Sequence, residues 1–122
     1  MFFFIQGTKT SPAAIINNGY MKITGKAVHS DVQDTFSHFN KQVSKYAKEP
    51  ANTTAVDISL SYVNATSKRS IVQFFKLLES MNEQGFEITV NWHFDSEDEE
   101  LRELGEIFSS MFNIEIKLVP RI

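Results

Sequence analysis

Cysteine is absent from this chain of 122 residues, so disulfide bonds, zinc–thiolate sites and thiol nucleophiles are excluded. With only five glycines and no P-loop, Gly-x-Gly-x-x-Gly or Gly-x-Ser-x-Gly motif, a loop that cradles a phosphate is hard to assemble. No apolar run approaches the roughly 18 residues that span a membrane. The apolar start of the chain, residues 1–5, lacks a preceding basic region and predicts a short buried strand rather than a signal peptide. We therefore expect no membrane insertion, and the lack of cysteine suits the cytoplasm.

The chain also lacks a strong excess of either charge. Its 12 basic and 15 acidic residues give a net charge of −3, and the basic residues are scattered along the sequence. Nucleic-acid binding needs a clustered basic face, so it is not expected. The histidines His29, His38 and His93 have no second histidine at metal-ligand spacing. The acidic run 95–100 lacks the alternating spacing and central glycine of a calcium loop, and favours a helix N-terminus instead. No metal or cofactor is predicted.

The pattern of apolar residues predicts an α/β fold in a single domain, 1–122, with the element order β-β-β-α-β-α-β-α-β. Asn17-Asn18-Gly19 predicts a hairpin turn, and Ser30 is expected to cap the first helix. A second helix is predicted over about 67–84. The later strands alternate apolar with polar residues, which is typical of a sheet covered on one face. We therefore predict three helices mainly on one face and an opposite face open to a partner or to a second copy in a homodimer.

The junction between the fourth strand and the second helix is rich in hydroxyl and amide side chains. Alternation along the strand predicts that Tyr62 faces the same way as Leu60. Asn64 is expected to cap the helix by accepting a hydrogen bond from a backbone N–H. A hydroxyl at a helix start is either a plain capping group or a site for phosphate, whose charge the helix dipole and the nearby Lys68 and Arg69 would stabilise.

Five segments of the chain form a set that spans nearly its whole length. They are Thr10-Ser11-Pro12, the strand 19–26, Tyr62-Val63-Asn64 with the following hydroxyls, Val90-Asn91-Trp92-His93-Phe94-Asp95, and Leu104-Gly105-Glu106. Together they resemble the SiaC-like bacterial regulatory phosphoproteins, whose fold is similar to the STAS domains of anti-anti-sigma factors. The resemblance implies a STAS-like mixed sheet of about five to six strands with three helices.

The resemblance implies a non-enzymatic, cytoplasmic partner switch that a serine/threonine kinase phosphorylates and a PP2C-type phosphatase restores. The partner that it implies is a diguanylate cyclase, with cyclic di-GMP synthesis and biofilm formation as the output. The family usually has Thr directly after the Asn of the junction, where this chain has Ala65, so the phosphate is expected on Thr66 or Ser67. The related acid–Ser–Ser motif of anti-anti-sigma factors favours Thr66. The partner-binding surface is expected to comprise Tyr62, Asn64, Thr66, Ser67, Lys68, Arg69 and Trp92.

Two other interpretations stay open on the sequence. Ala65 and the open sheet face are compatible with an interaction or structural module that has no phosphate switch. The eleven phenylalanines could line a pocket for a small molecule or a lipid. Their spacing follows the core periodicity of helices and strands, which favours packing over a pocket.

Overall fold

The computed structural model describes residues 2–27 and 32–122, and it confirms the predicted order of strands and helices. The predicted cap at Ser30 and the histidine at position 29 lie outside the described residues. The elements are β1 Phe3–Ile5, β2 Ala13–Asn17, β3 Tyr20–Ala27, α1 Val32–Tyr46, β4 Thr53–Val63, α2 Ala65–Glu83, β5 Glu87–Asp95, α3 Glu99–Met111 and β6 Glu115–Arg121.

All six strands form one mixed sheet in which they lie in chain order. The pairs β1–β2 and β2–β3 are antiparallel, and the pairs from β3 to β6 are parallel. Gly19 makes the tight β2–β3 turn with a φ of 84°, a conformation that glycine adopts without a steric penalty. Crossovers between parallel strands are right-handed, and the strand order never reverses, so successive helices fall on the same face of the sheet.

The burial pattern confirms that one face of the sheet is covered. In β4 and β5 the even-numbered residues 54–60 and 88–94 are buried, and the odd-numbered residues between them are only partly buried. The phenylalanines of the helices pack together against the covered face, with the ring centroids of Phe75 and Phe108 5.0 Å apart and those of Phe39 and Phe74 5.2 Å apart. Core packing therefore accounts for these aromatic side chains. None of the helices in the described ranges has the length and apolar character that a transmembrane segment requires.

Trp92 belongs to this core, so the prediction that it contacts a partner is wrong. Its side chain is 1% exposed, and its Nε1 donates a hydrogen bond to the carbonyl oxygen of Leu101 at 2.9 Å. Gly105 of α3 lies so close to the indole that an added Cβ would be 2.6 Å from Trp92 Cδ1. The tryptophan thus fixes α3 to the sheet and presents no surface outward.

The prediction for Tyr62 is corrected by an irregularity in the β3–β4 ladder. Gly25 pairs with Leu60, but the next residue, Lys26, pairs with Tyr62, so Ser61 is an extra residue in β4. After an extra residue of this kind, the side chains that follow in the strand point to the opposite face of the sheet from the one that simple alternation predicts. Tyr62 therefore points away from the face occupied by Leu60, and 50% of its surface is exposed.

A tyrosine hydroxyl connects three segments near the amino ends of β3 and β4. Tyr46 Oη lies 2.7 Å from the Thr54 hydroxyl, and it accepts hydrogen bonds from the backbone N–H groups of Gly19 at 3.0 Å and Ala51 at 3.2 Å. One side chain at the end of α1 thereby holds the β2–β3 turn and the start of β4.

Candidate functional site

The junction between β4 and α2 is built around Asn64, which caps the helix as predicted. Its Oδ1 accepts a hydrogen bond from the N–H of Ser67 at 2.8 Å, and its carbonyl oxygen accepts one from the N–H of Lys68 at 3.1 Å. Its own N–H donates to the carbonyl oxygen of Ala27 at the end of β3, at 3.2 Å. The start of α2 is therefore fixed to two neighbouring strands, and the residues that follow are presented in a defined direction.

The structure separates the two hydroxyls that the sequence left as phosphate acceptors. Thr66 is exposed, whereas Ser67 is 1% exposed. A kinase must reach the oxygen that it modifies, and a phosphate on Ser67 would have to be accommodated inside the packed helix start. Thr66 is thus the accessible hydroxyl of the pair. Ala65, at the position where the family usually has threonine, is exposed as well but has no oxygen to modify.

Two cations follow Thr66 in the first turns of α2. The first turn of α2 contains no acidic residue, and Lys68 and Arg69 are both exposed. A helix N-terminus carries roughly half a positive charge from its aligned peptide dipoles. The start of α3 differs, because Asp98 caps it and Glu99 and Glu100 lie in its first turn. Asp98 and Glu100 line the same small surface cavity as Lys68, so the acidic start of α3 adjoins the start of α2 on that side. Negative charge added at Thr66 would be stabilised by the α2 dipole and Arg69 and opposed by these carboxylates.

The acidic run 95–100 has the capping role that the sequence predicted. Asp98 Oδ1 accepts from the N–H of Leu101 at 3.1 Å, and Asp95 Oδ1 accepts from the N–H of Glu97 at 2.9 Å. Within residues 2–27 and 32–122, no three acidic or histidine side chains are arranged to hold a metal ion. These carboxylates line one side of an open groove of about 750 Å³ at the carboxyl ends of the parallel strands.

A polar cluster on the open face of the sheet was missed by the sequence analysis. Asp57 in β4 accepts hydrogen bonds from Tyr20 Oη at 2.9 Å and from Asn91 Nδ2 at 3.0 Å, and its Oδ1 lies 3.0 Å from His93 Nε2. Residues 57 and 91 are paired across the β4–β5 ladder. The alternation of each strand indicated which of its side chains share a face. The contacts between strands also depend on how β3, β4 and β5 are aligned in the sheet, and the sequence does not show that alignment.

Mutual hydrogen bonding in this cluster shifts two pKa values. Partial burial by itself would raise the pKa of Asp57, but the hydrogen bonds from His93, Tyr20 and Asn91 outweigh burial and lower that pKa below its ordinary value of 3.8. Burial, the hydrogen bond to Asp57 and the charge of Asp57 raise the pKa of Tyr20 above its ordinary value. Asp57 is therefore held as a carboxylate that ties β3, β4 and β5 together.

Comparison with known proteins connects this geometry to a family. The family model for SiaC family regulatory phosphoproteins matches residues 5–121. An uncharacterized protein of Pseudomonas aeruginosa strain UCBPP-PA14, PA14_02130, is 24% identical over 106 residues, which is 85% of this chain and 84% of that protein.

Solved structures of SiaC from Pseudomonas aeruginosa share the fold. The apo-SiaC crystal structure superposes with a TM-score of 0.87 at 20% identity, over 98% of both chains. A chain from the crystal structure of the diguanylate cyclase SiaD in complex with its activator SiaC superposes with a TM-score of 0.86 at 21% identity, over 98% of this chain and 99% of that one. The family match over nearly the whole length confirms the resemblance seen in the sequence, and the chain belongs to the SiaC family of regulatory phosphoproteins.

Proposed function

We propose that this protein is a non-enzymatic regulator in the cytoplasm that binds a signalling protein, and that phosphorylation of Thr66 switches the binding off. The observation that carries the proposal is the exposure of Thr66 at a helix start whose neighbours Lys68 and Arg69 are cations, beside a serine that is buried. A phosphate there would add about −1.5 to −2 charges. The helix dipole and the cations would stabilise it, so the fold tolerates the modification while the surface changes sign.

The partner that we propose is a diguanylate cyclase. SiaC of Pseudomonas aeruginosa is an activator of the diguanylate cyclase SiaD, and its fold covers almost the entire chain described above. By the resemblance, a serine/threonine kinase adds the phosphate and a PP2C-type phosphatase removes it. The exposed Tyr62, Thr66, Lys68 and Arg69 would form the contact surface. Asn64 would act from beneath this surface, because it holds the start of α2 in place.

Phosphorylation is tested by incubating the purified protein with its cognate kinase and measuring the intact mass. We expect a gain of one phosphate group in the wild-type protein and in Ser67→Ala, and no gain in Thr66→Ala. Ser67→Ala is the matched control, because it removes the neighbouring hydroxyl and leaves Thr66 available. A phosphate that remains on Thr66→Ala and disappears from Ser67→Ala would reject the assignment.

Switching is tested by titrating the purified cognate cyclase with wild-type protein, Thr66→Glu and Thr66→Val. The valine variant keeps the size of the side chain without a charge and is expected to bind like the wild-type protein. The glutamate variant is expected to bind at least tenfold more weakly, because it places an anion beside the contact surface. Equal affinity of all three proteins would contradict a switch at this residue.

A module without a phosphate switch is the second candidate, and the exposed Ala65 favours it, because the family's usual acceptor is missing there. The two candidates differ in one result. If an active kinase that modifies another substrate leaves this chain without added mass while the cyclase still binds, the unswitched module is correct.

A further inference from the structure

A shallow groove runs between α1 and α2 on the outer surface of the helices. It encloses about 510 Å³ and is lined by residues at helical spacing from each helix. Asn40 joins its two walls, because the Nδ2 of Asn40 donates a hydrogen bond to the carbonyl oxygen of Ser70 at 3.0 Å. The groove is therefore a fixed feature of the helix packing.

The charge of the groove is opposite to that of the protein. Among the described residues that line it, the charged ones are Lys41 of α1 and Arg69 of α2, and both are exposed. The whole chain carries a net charge of −3, and seven of its 15 acidic residues lie in the segment 95–106. The groove is thus a positive strip on an acidic molecule, with serine and glutamine side chains along its walls that can also donate hydrogen bonds to carboxylates.

Thr66 stands at the end of the same strip. Thr66, Arg69, Ser70 and Gln73 lie at positions i, i+3, i+4 and i+7 of α2, so they share one face of the helix. The last three line the groove. A phosphate on Thr66 would therefore lie within one turn of Arg69, where it would compete for that guanidinium and reverse the sign of the groove entrance.

We propose that the α1–α2 groove binds an Asp/Glu-rich segment of the protein partner, and that phosphate on Thr66 expels this segment by engaging Arg69 and repelling its carboxylates. This inference rests on the proposed function, because it names the part of the partner that the switch controls. Two cations on an acidic protein do not suffice for a nucleic-acid backbone. Their separation across two helices fits an extended acidic peptide segment, whose carboxylates can contact each cation.

The test measures binding of the full-length cognate diguanylate cyclase to the full-length protein. Lys41→Glu, which lies in the groove but outside the contact surface of the proposed function, is expected to bind at least tenfold more weakly, and its remaining affinity should depend less on salt. The matched control is Lys22→Glu, an exposed lysine on the open face of the sheet, which changes the net charge equally. This control is expected to bind within twofold of wild type.

Photo-crosslinking gives a second measurement, in a protein that keeps both Lys41 and Arg69. A benzoylphenylalanine at Ser44, an exposed residue of the groove, is expected to capture a cyclase peptide with a clear excess of Asp and Glu. Phosphorylation of Thr66 should abolish that crosslink. A captured peptide that is neutral or basic, or a crosslink that survives phosphorylation, would overturn the inference.

The outcomes distinguish the inference from the proposed function. If the cyclase binds wild type, loses affinity on Thr66→Glu and binds Lys41→Glu as tightly as wild type, the inference is wrong and the switch stands. If the cyclase does not bind the wild-type protein, the proposed function is wrong and the inference is overturned with it.

Discussion

Replacement of Gly105 by alanine should destabilise this protein, although alanine inside a helix normally stabilises it by up to about 1 kcal/mol relative to glycine. Gly105 lies in the middle of α3 and is buried against Trp92 and Leu118. A Cβ at this position would be 2.6 Å from Trp92 Cδ1, 2.7 Å from Leu118 Cδ2 and 2.8 Å from Trp92 Nε1. All three distances are well inside normal carbon contacts, which begin at about 3.5 Å.

The magnitude follows from which side chains can move. The indole of Trp92 is 1% exposed, hydrogen-bonded to Leu101 and packed against Phe108 with ring centroids 5.6 Å apart, so it has little room to shift. Overpacking of a core costs about 1–3 kcal/mol, and this rigid contact belongs at the upper end. After the propensity gain, the free energy of unfolding should fall by about 2 kcal/mol, which lowers Tm by roughly 8 °C in a domain of this size.

The assay is urea unfolding monitored by the fluorescence of the single tryptophan. In the variant, this is the side chain that the added Cβ would press against. Ser109→Ala is the control, because Ser109 is an exposed residue in the same helix and should gain a few tenths of a kcal/mol. If Gly105→Ala raises the midpoint by as much as the control does, the close contact between α3 and the indole does not exist as described and the reasoning fails.

Three further predictions concern single side chains and are measured by urea unfolding. Asn64→Ala should lower the free energy of unfolding by about 1 kcal/mol through loss of the α2 cap, and Asn64→Asp should retain most of it. Tyr46→Phe should cost about 2 kcal/mol, because backbone N–H groups lose their acceptor; a change below 0.5 kcal/mol would contradict this role. The lowered pKa of Asp57 means that its stabilising contribution is complete above 3.8 and is lost as pH falls through the native pKa. Asp57→Asn should therefore flatten the loss of stability as the pH falls below about 5, and an unchanged slope would refute this assignment.

Much of the fold could be predicted from local patterns. The hairpin at Asn17–Gly19, the cap at Asn64 and the alternation of β4 and β5 depend on residues close together in the chain, so the sequence displays them directly. The placement of the helices on one face followed from that alternation. These features needed no knowledge of which strands are paired.

Two errors arose although a local signal was available. Trp92 alternates with Val90 and Phe94, which placed it on the buried face, but its position in a family motif suggested a surface role. Ser67 lies four and seven residues before Ile71 and Phe74 of the buried helix stripe, so helical periodicity already placed its hydroxyl inward. In both cases periodicity was the better guide to exposure.

Two other features could not be predicted because they depend on strand pairing. Tyr62 faces outward because Ser61 is an extra residue in β4, between the residues that pair with Gly25 and Lys26. Neither strand, taken alone, reveals such an insertion. The cluster around Asp57 requires the correct register of β3, β4 and β5, since a slip of one residue would move its partners to the other face.

The order of the strands also bears on how the chain is made. Each strand is bonded to the strand that precedes it in sequence, so every segment leaving the ribosome finds its neighbour already synthesised. The later partner of each strand lies at most one crossover helix away in the chain, which shortens the time that an unpaired strand edge is exposed on a nascent chain. The sheet can therefore grow from its N-terminal hairpin during translation, and β1 and β6 remain as its two edge strands.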